Sequence, residues 1–351
     1  MRISFITPSA RGGYGGIAKY NENLVNYFIK NKDVKEIFLF SRSPINYKEK
    51  KINNFASKHF LKFFFNIFIN TYKLLTSDIV FVTHINLIPF SILPIIFRKK
   101  VVMCCYGLEI WGQEKNFFYK FLLSNLKYFI CMRIYTKKQL RKKYSVKGSK
   151  IYELHNSIKF RKINPKQSKF KSLVTVARLD KKEKYKGVDE TLEAISNIKN
   201  KNFNYYILGD GDDKSRLISK AKELKISDYV FFLGIVSNQK RDNILNNSHI
   251  LAMPGSDKTF DTYPFRFIFL EAAEYGLHII GSRSPDRNEN LYPKKYSCLN
   301  LVDPKNRLNI VKKIKELLTK EKKISYKIKK DFSILNFEKE LNKIVKGVLI
   351  K

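Results

Sequence analysis

At 351 residues, 44% hydrophobic and 28% charged, the chain is too long for one ordinary core and too apolar to be disordered, so two globular domains are expected. A formal charge of +37 favours anionic partners, whether phosphorylated substrates, an anionic membrane surface or nucleic acid. An AT-rich coding bias toward Lys, Ile, Asn and Phe accounts for much of that excess, so charge alone assigns no function.

Residues 2–7 read as a strand rather than a leader, and the expected place is the cytoplasm, free or peripheral on the inner face of its membrane. The glycine-rich loop Pro8 to Gly16 follows, before a helix expected over 17–28. Gly15 and Gly16 there let main-chain N–H groups approach a phosphate at the positive helix end, although a glycine-rich loop alone equally suits a mobile turn. Further strands are expected at 36–40, 79–83, 101–105, 128–132 and 151–154. The aromatic stretch His59 to Leu75 (HFLKFFFNIFINTYKLL) suits two readings equally, a buried core or docking at an anionic membrane surface. It and the run 85–97 are broken by Asn or Pro short of a spanning helix. The basic, aromatic stretch Leu126 to Tyr144 has no RNA-binding or helix-turn-helix phrase; it reads as a solvated face, and no nucleic-acid partner is expected. Cys104, Cys105, Cys131 and Cys298 form no C-x-x-C pair and predict buried thiols rather than a zinc site or disulfides.

Residues 157–171, polar, Lys-rich and containing Pro165, read as the interdomain linker. A second series of strands is expected at 173–176, 205–208, 230–233, 250–253 and 278–281, with helices after each. A last helical stretch runs from about 331 to 350, with apolar spacing at Phe332, Ile334, Leu335, Phe337, Leu341, Ile344 and Val345. The alternation predicts an α/β fold with two parallel sheets: a first domain over 1–160, a second over 171–330, and a terminal helix over 331–351. In such sheets ligands bind beyond the carboxyl ends of the strands.

Three phrases fall at such ends. In S-L-V-T-V-A-R-L-D-K-K-E-K-Y-K-G, Arg178 ends a strand and Lys186 precedes a helix, a rigid fork and a point charge suited to a diphosphate. Asp210-Gly211-Asp212 allows a D-x-D metal reading, but the preceding strand and the glycine favour a tight turn, and no metal is expected. Glu271, set between Phe267–Leu270 and Ala272–Ala273, is either a bidentate acceptor for ribose hydroxyls or a first-turn helix acid favoured by the dipole. His84, His155 and His278 are scattered and read as structural.

Together these phrases resemble the retaining glycosyltransferases of family 4, which have the GT-B fold of two facing Rossmann-like domains with a cleft between them. The resemblance includes G-G-x-x-x-Y (Gly15, Gly16, Tyr20), G-L-E-I-W-G (Gly107 to Gly112), A-R-L-D…Y-K-G, L-G-D-G (Leu208 to Gly211), F-F-L-G-I-V (Phe231 to Val236) and F-L-E-A (Phe269 to Ala272). It implies a UDP- or GDP-sugar donor, no further cofactor, and a glycan or lipid-linked oligosaccharide acceptor in bacterial surface polysaccharide (lipopolysaccharide) synthesis. By it, Arg178 and Lys186 hold the donor diphosphate, Glu271 the ribose, and the main chain at Gly234 and Ile235 the base. The loop at Gly15 and Gly16 closes over the phosphates, and the terminal helix packs back on the first domain.

Three departures stand out. The family's first glutamate falls at Tyr263, and its small neighbours are Pro264 and Arg266; Asp261 is the nearby acid that a loop shift would bring in. Where the family often has His before the glycine of G-L-E stands Tyr106, a candidate catalytic group that donates one hydrogen bond but is a poor base. A later family glycine pair is Ser284-Pro285. Arg266 adds a cation beside the expected diphosphate. The alternative these departures leave open is a catalytically impaired subunit that acts as a binding or membrane-docking partner.

Overall fold

The computed structural model describes every residue except 14, 113–114, 166–167, 169, 200–201, 256–265, 285–288 and 351. The chain forms two compact units, one of Met1–Ser157 with Ile334–Lys351 and one of Ile158–Ser333.

The first unit holds strands β1 (Arg2–Thr7), β2 (Glu36–Ser41), β3 (Ile52–Asn54), β4 (Ile79–Val82), β5 (Val101–Cys105), β6 (Tyr128–Cys131) and β7 (Lys150–Glu153). They make one parallel sheet in the order β3-β2-β1-β4-β5-β6-β7. The second unit holds β8 (Lys171–Val176), β9 (Phe203–Leu208), β10 (Val230–Gly234), β11 (Ile250–Met253), β12 (His278–Ser282) and β13 (Leu299–Val302), parallel in the order β10-β9-β8-β11-β12-β13. Each order reverses direction once, between β1 and β4 and between β8 and β11, which leaves a crevice at the carboxyl ends there. Central strands such as Ile79–Val82 and Val101–Cys105 are buried throughout, as expected where helices cover both faces of a sheet.

Two strands lack that signal. β3 is a three-residue edge with two asparagines, and β13 is a four-residue edge strand interrupted by Asn300. Neither shows the continuous apolar run by which the other strands are read.

The terminal stretch is two helices. Tyr326–Asp331 stays with the second unit, and Ile334–Leu349 belongs to the first. There the ring of Phe337 meets Tyr20 edge-on at 5.6 Å, Tyr27 donates to Asn342 Oδ1 at 3.0 Å, and Lys30 pairs with Glu338 at 2.6 Å. The chain passes between units at Ser157 and again at Ser333, and Ile158 bridges Ser333 in parallel. Much of the expected linker is no free tether. Arg161 pairs with Glu274 at 2.8 Å and Asp242 at 2.6 Å, which fixes this segment to the second unit.

Candidate active site

In the second unit, the loops leaving β8, β9 and β11 touch backbone to backbone. Gly209, at φ +133°, has no room for a side chain: an added Cβ would lie 1.8 Å from the Ala177 carbonyl oxygen. At Gly211 it would lie 2.3 Å from the Leu179 carbonyl carbon, and at Gly187, φ +87°, 2.4 Å from the Gly255 nitrogen. The ladder continues past the strand ends, with Ala177 N–H donating to Leu208 at 3.0 Å and Leu179 N–H to Asp210 at 2.9 Å. These glycines therefore hold three loops together at the carboxyl end of the sheet.

Onto this platform come the cations. Arg178 follows β8 with its side chain 73% exposed, paired with Glu183 and 3.9 Å from Asp180. Lys186 ends the 3₁₀ turn Lys181–Lys186, with Nζ 4.6 Å from the centre of the Tyr185 ring. Arg266, at the start of the helix Phe267–Glu274, places its guanidinium carbon 5.4 Å from the same ring. The structure thus brings Lys186 and Arg266 to one buried tyrosine. Glu271 is 19% exposed and lies 3.7 Å from Arg241, so it is not the isolated acid its apolar neighbours suggest. Tyr185, Glu183 and Arg241 were not singled out from the sequence. Glu183 lies inside the quoted A-R-L-D…Y-K-G phrase, whereas no local signal marks Arg241.

The turn after β9 uses its acids locally. Asp210 accepts from Gly211 N–H at 2.9 Å and from Lys214 at 3.0 Å, and this lysine pair holds its carboxyl below the usual range. Asp212 accepts from Lys181 N–H at 2.7 Å. Among the described residues no group of three His, Cys, Asp or Glu side chains is arranged to hold a metal ion. Gly234, at φ +65°, accepts from Gly209 N–H at 2.8 Å, and Ile235 beside it is 86% exposed.

In the first unit, Gly15 (φ +88°) and Gly16 open the helix Gly15–Lys30, and among the described residues, chain neighbours aside, no atom lies within 4 Å of where a Gly15 side chain would stand. At the ends of β1, β4 and β5, Thr83 donates to Thr7 Oγ1 at 2.8 Å, Asn21 donates to Thr7 Oγ1 at 2.9 Å, and the Tyr106 hydroxyl donates to Asn21 Oδ1. Burial holds the Tyr106 phenol well above its ordinary range. Its hydroxyl is engaged inside the unit, where it packs against Tyr20 and hydrogen-bonds to Asn21. Glu109 accepts from the N–H groups of Tyr106 at 2.5 Å and Gly107 at 3.0 Å, which makes the G-L-E phrase a self-capped turn. His84 accepts from Asn86 N–H, and His155 and His278 bond main-chain oxygens, the structural roles read for them.

The sequence matches the family model of the glycosyl transferases group 1 over residues 156–331, half of its length. The chain belongs to the group 1 glycosyl transferases. No curated protein matches it. Among solved structures, this glycosyltransferase is similar to the lipopolysaccharide outer core galactosyltransferase WaaB in its apo form: 18% identity, 99% of each chain covered, TM-score 0.73. It is similar to a glycosyltransferase from Rickettsia africae, at 15% identity, 100% of this chain and 99% of the other, TM-score 0.73. It is similar also to Anabaena Alr3699/HepE, solved with UDP and glucose, at 12% identity, 99% and 100%, TM-score 0.71. These likenesses are of fold, the GT-B type. Arg178, Lys186, Gly234, Ile235, Arg266 and Glu271 all fall in the segment matched by the family model. Asp261, the acid that a loop shift would bring in, and the departures Tyr263, Pro264 and Pro285 lie outside the described residues; Ser284 is described and buried.

Proposed function

We propose that this glycosyltransferase moves a sugar from a UDP- or GDP-sugar to a lipid-linked glycan acceptor, with retention of anomeric configuration. The observation that carries the reading is the gathering of Lys186 and Arg266 at Tyr185, on a platform that also bears Arg178. The second unit would hold the nucleotide sugar and the first would receive the acceptor. Arg178 and Lys186 meet the diphosphate, Glu271, oriented by Arg241, accepts from ribose hydroxyls, and the main chain at Gly234 and Ile235 meets the base.

As the bond from the sugar's anomeric carbon to the phosphate oxygen breaks, negative charge develops on the diphosphate, and fixed cations stabilise it without a metal ion. The acceptor hydroxyl oxygen bonds to the same face of that carbon. Its proton passes to the departing phosphate oxygen, so no side-chain base is required. The reading fits the UDP and glucose of the Anabaena structure and the lipopolysaccharide role of WaaB.

Tyr263 in place of the family glutamate favours a second reading, a binding subunit that does not turn over. Calorimetry with UDP and GDP followed by a transfer assay separates the two: nucleotide binding with transfer supports the first, and binding with no transfer to any acceptor supports the second.

A further inference from the structure

The helix Phe60–Ile69 has two apolar faces, and the fold uses one. Phe63 and Ile67, four residues apart, are its buried residues. At about 100° per residue, Phe60, Phe64, Phe68, Leu61, Phe65 and Ile69 sweep the opposite half of the helix. All six are exposed, Leu61, Phe68 and Ile69 by 67–69%. The four phenylalanines alone leave about 400 Å² of apolar surface in water, taking about 200 Å² per side chain, the size of a monomer's largest patch and often a functional one. The patch is extended on neighbouring elements. Phe90 packs on Phe60, Phe63 and Phe64, and just beyond it Ile96 and Phe97 are again exposed.

Charge identifies the occupant. Residues 50–77 and 79–108 contain no Asp or Glu, while Lys58 and Lys62 are exposed beside the rings and Arg42 stacks on Phe60 at 5.3 Å. Residues 1–150 carry 27 Lys and Arg against 7 Asp and Glu. Two copies of so basic a face would repel one another across a shared interface. A bilayer rich in anionic lipid supplies both the apolar depth and the opposite charge.

We propose that the first unit docks on anionic membranes through this face, with Phe64, Phe65 and Phe68 sunk at the headgroup boundary and Lys58 and Lys62 on the phosphates. The docking is in the plane of the interface, since no described helix is long and apolar enough to cross a membrane. It rests on the surface alone and holds whichever sugar is moved.

The test is sedimentation of the full chain with vesicles of phosphatidylcholine, alone or with about a third phosphatidylglycerol. Expected is binding to the anionic vesicles only, weakened by salt, and reduced about tenfold or more in the double variant Phe65→Ser, Phe68→Ser with an unchanged melting temperature. A second measurement needs no loss of function. The emission of the variant Phe65→Trp, less that of the parent with its single Trp111, should blue-shift on anionic vesicles and be quenched by lipid carrying a spin label near the headgroup. Failure of the chain to bind, equal binding by the double variant, or an introduced indole whose emission stays solvent-like would overturn the proposal. So would a chain dimeric in solution that the double variant renders monomeric, because the face would then cover a second copy.

Discussion

Arg178 gives the sharpest test of the diphosphate assignment, because its side chain has a defined partner in the fold. It pairs with Glu183, and its side chain is 73% exposed while that of Glu183 is 11% exposed. A pair whose cation is this exposed contributes about 0–1 kcal/mol. A charge-assisted contact to a diphosphate is worth about 1.5–3 kcal/mol. Exchanging the first for the second leaves about 1–2 kcal/mol, or about 5–30-fold in Kd. Arg178→Ala should therefore weaken UDP or GDP binding by that factor, with a change in unfolding free energy within about 1 kcal/mol. Glu183→Gln removes the competitor and should tighten binding by about fivefold at most. Titration calorimetry reads the affinities and urea unfolding the stability. Unchanged affinity in Arg178→Ala for both nucleotides would remove Arg178 from the diphosphate site, and weaker binding in Glu183→Gln would show that Glu183 aims Arg178 rather than competing for it.

Lys186→Ala should weaken nucleotide binding by about tenfold or more. Arg266→Gly should lower transfer more than it lowers binding of the bare nucleoside diphosphate, and equal losses would make Arg266 only another phosphate contact. Tyr106→Phe should cost about 1–2 kcal/mol of stability in urea, by leaving Asn21 Oδ1 without that donor, while kcat stays near that of the parent. A hundredfold loss of kcat at unchanged stability would instead give Tyr106 a catalytic role. Lys322 is buried, and burial, aided by Lys171, pushes its ammonium down to about 8. Between that value and the ordinary 10.5 the unfolded chain binds the extra proton. The stability of the parent relative to Lys322→Met should therefore rise as pH increases from about 8 to 10. A flat difference between their urea midpoints would contradict it.

What the sequence showed and hid follows from where each signal is stored. Strands such as Val101–Cys105, buried on both faces, declare themselves as apolar runs, whereas the edge strands Ile52–Asn54 and Leu299–Val302 do not. The glycine turns were visible as phrases, but the reason for them, loops in contact at Gly209, Gly211 and Gly187, appears only in three dimensions. The convergence of Lys186 and Arg266 on Tyr185 joins distant segments through an aromatic ring, which no local spacing records. Tyr106 could be noticed as a substitution, but its commitment to Asn21 depends on the placement of two elements. The phenylalanine helix was ambiguous because it is apolar almost all round, and burial of Phe63 and Ile67 alone decides which face is core.

The central claim is transfer by this chain itself, and one measurement addresses it directly. The purified protein is incubated with UDP- and GDP-sugars and a lipid-diphosphate sugar acceptor in the presence of EDTA, and the product is followed by mass and by the anomeric coupling in its NMR spectrum. One donor should yield a glycosylated acceptor, with one nucleoside diphosphate released per bond formed and the donor's own anomeric configuration in the product. Nucleotide binding with no transfer from any donor, inversion at the anomeric carbon, or turnover that vanishes with EDTA and returns with Mg²⁺ or Mn²⁺ would contradict it.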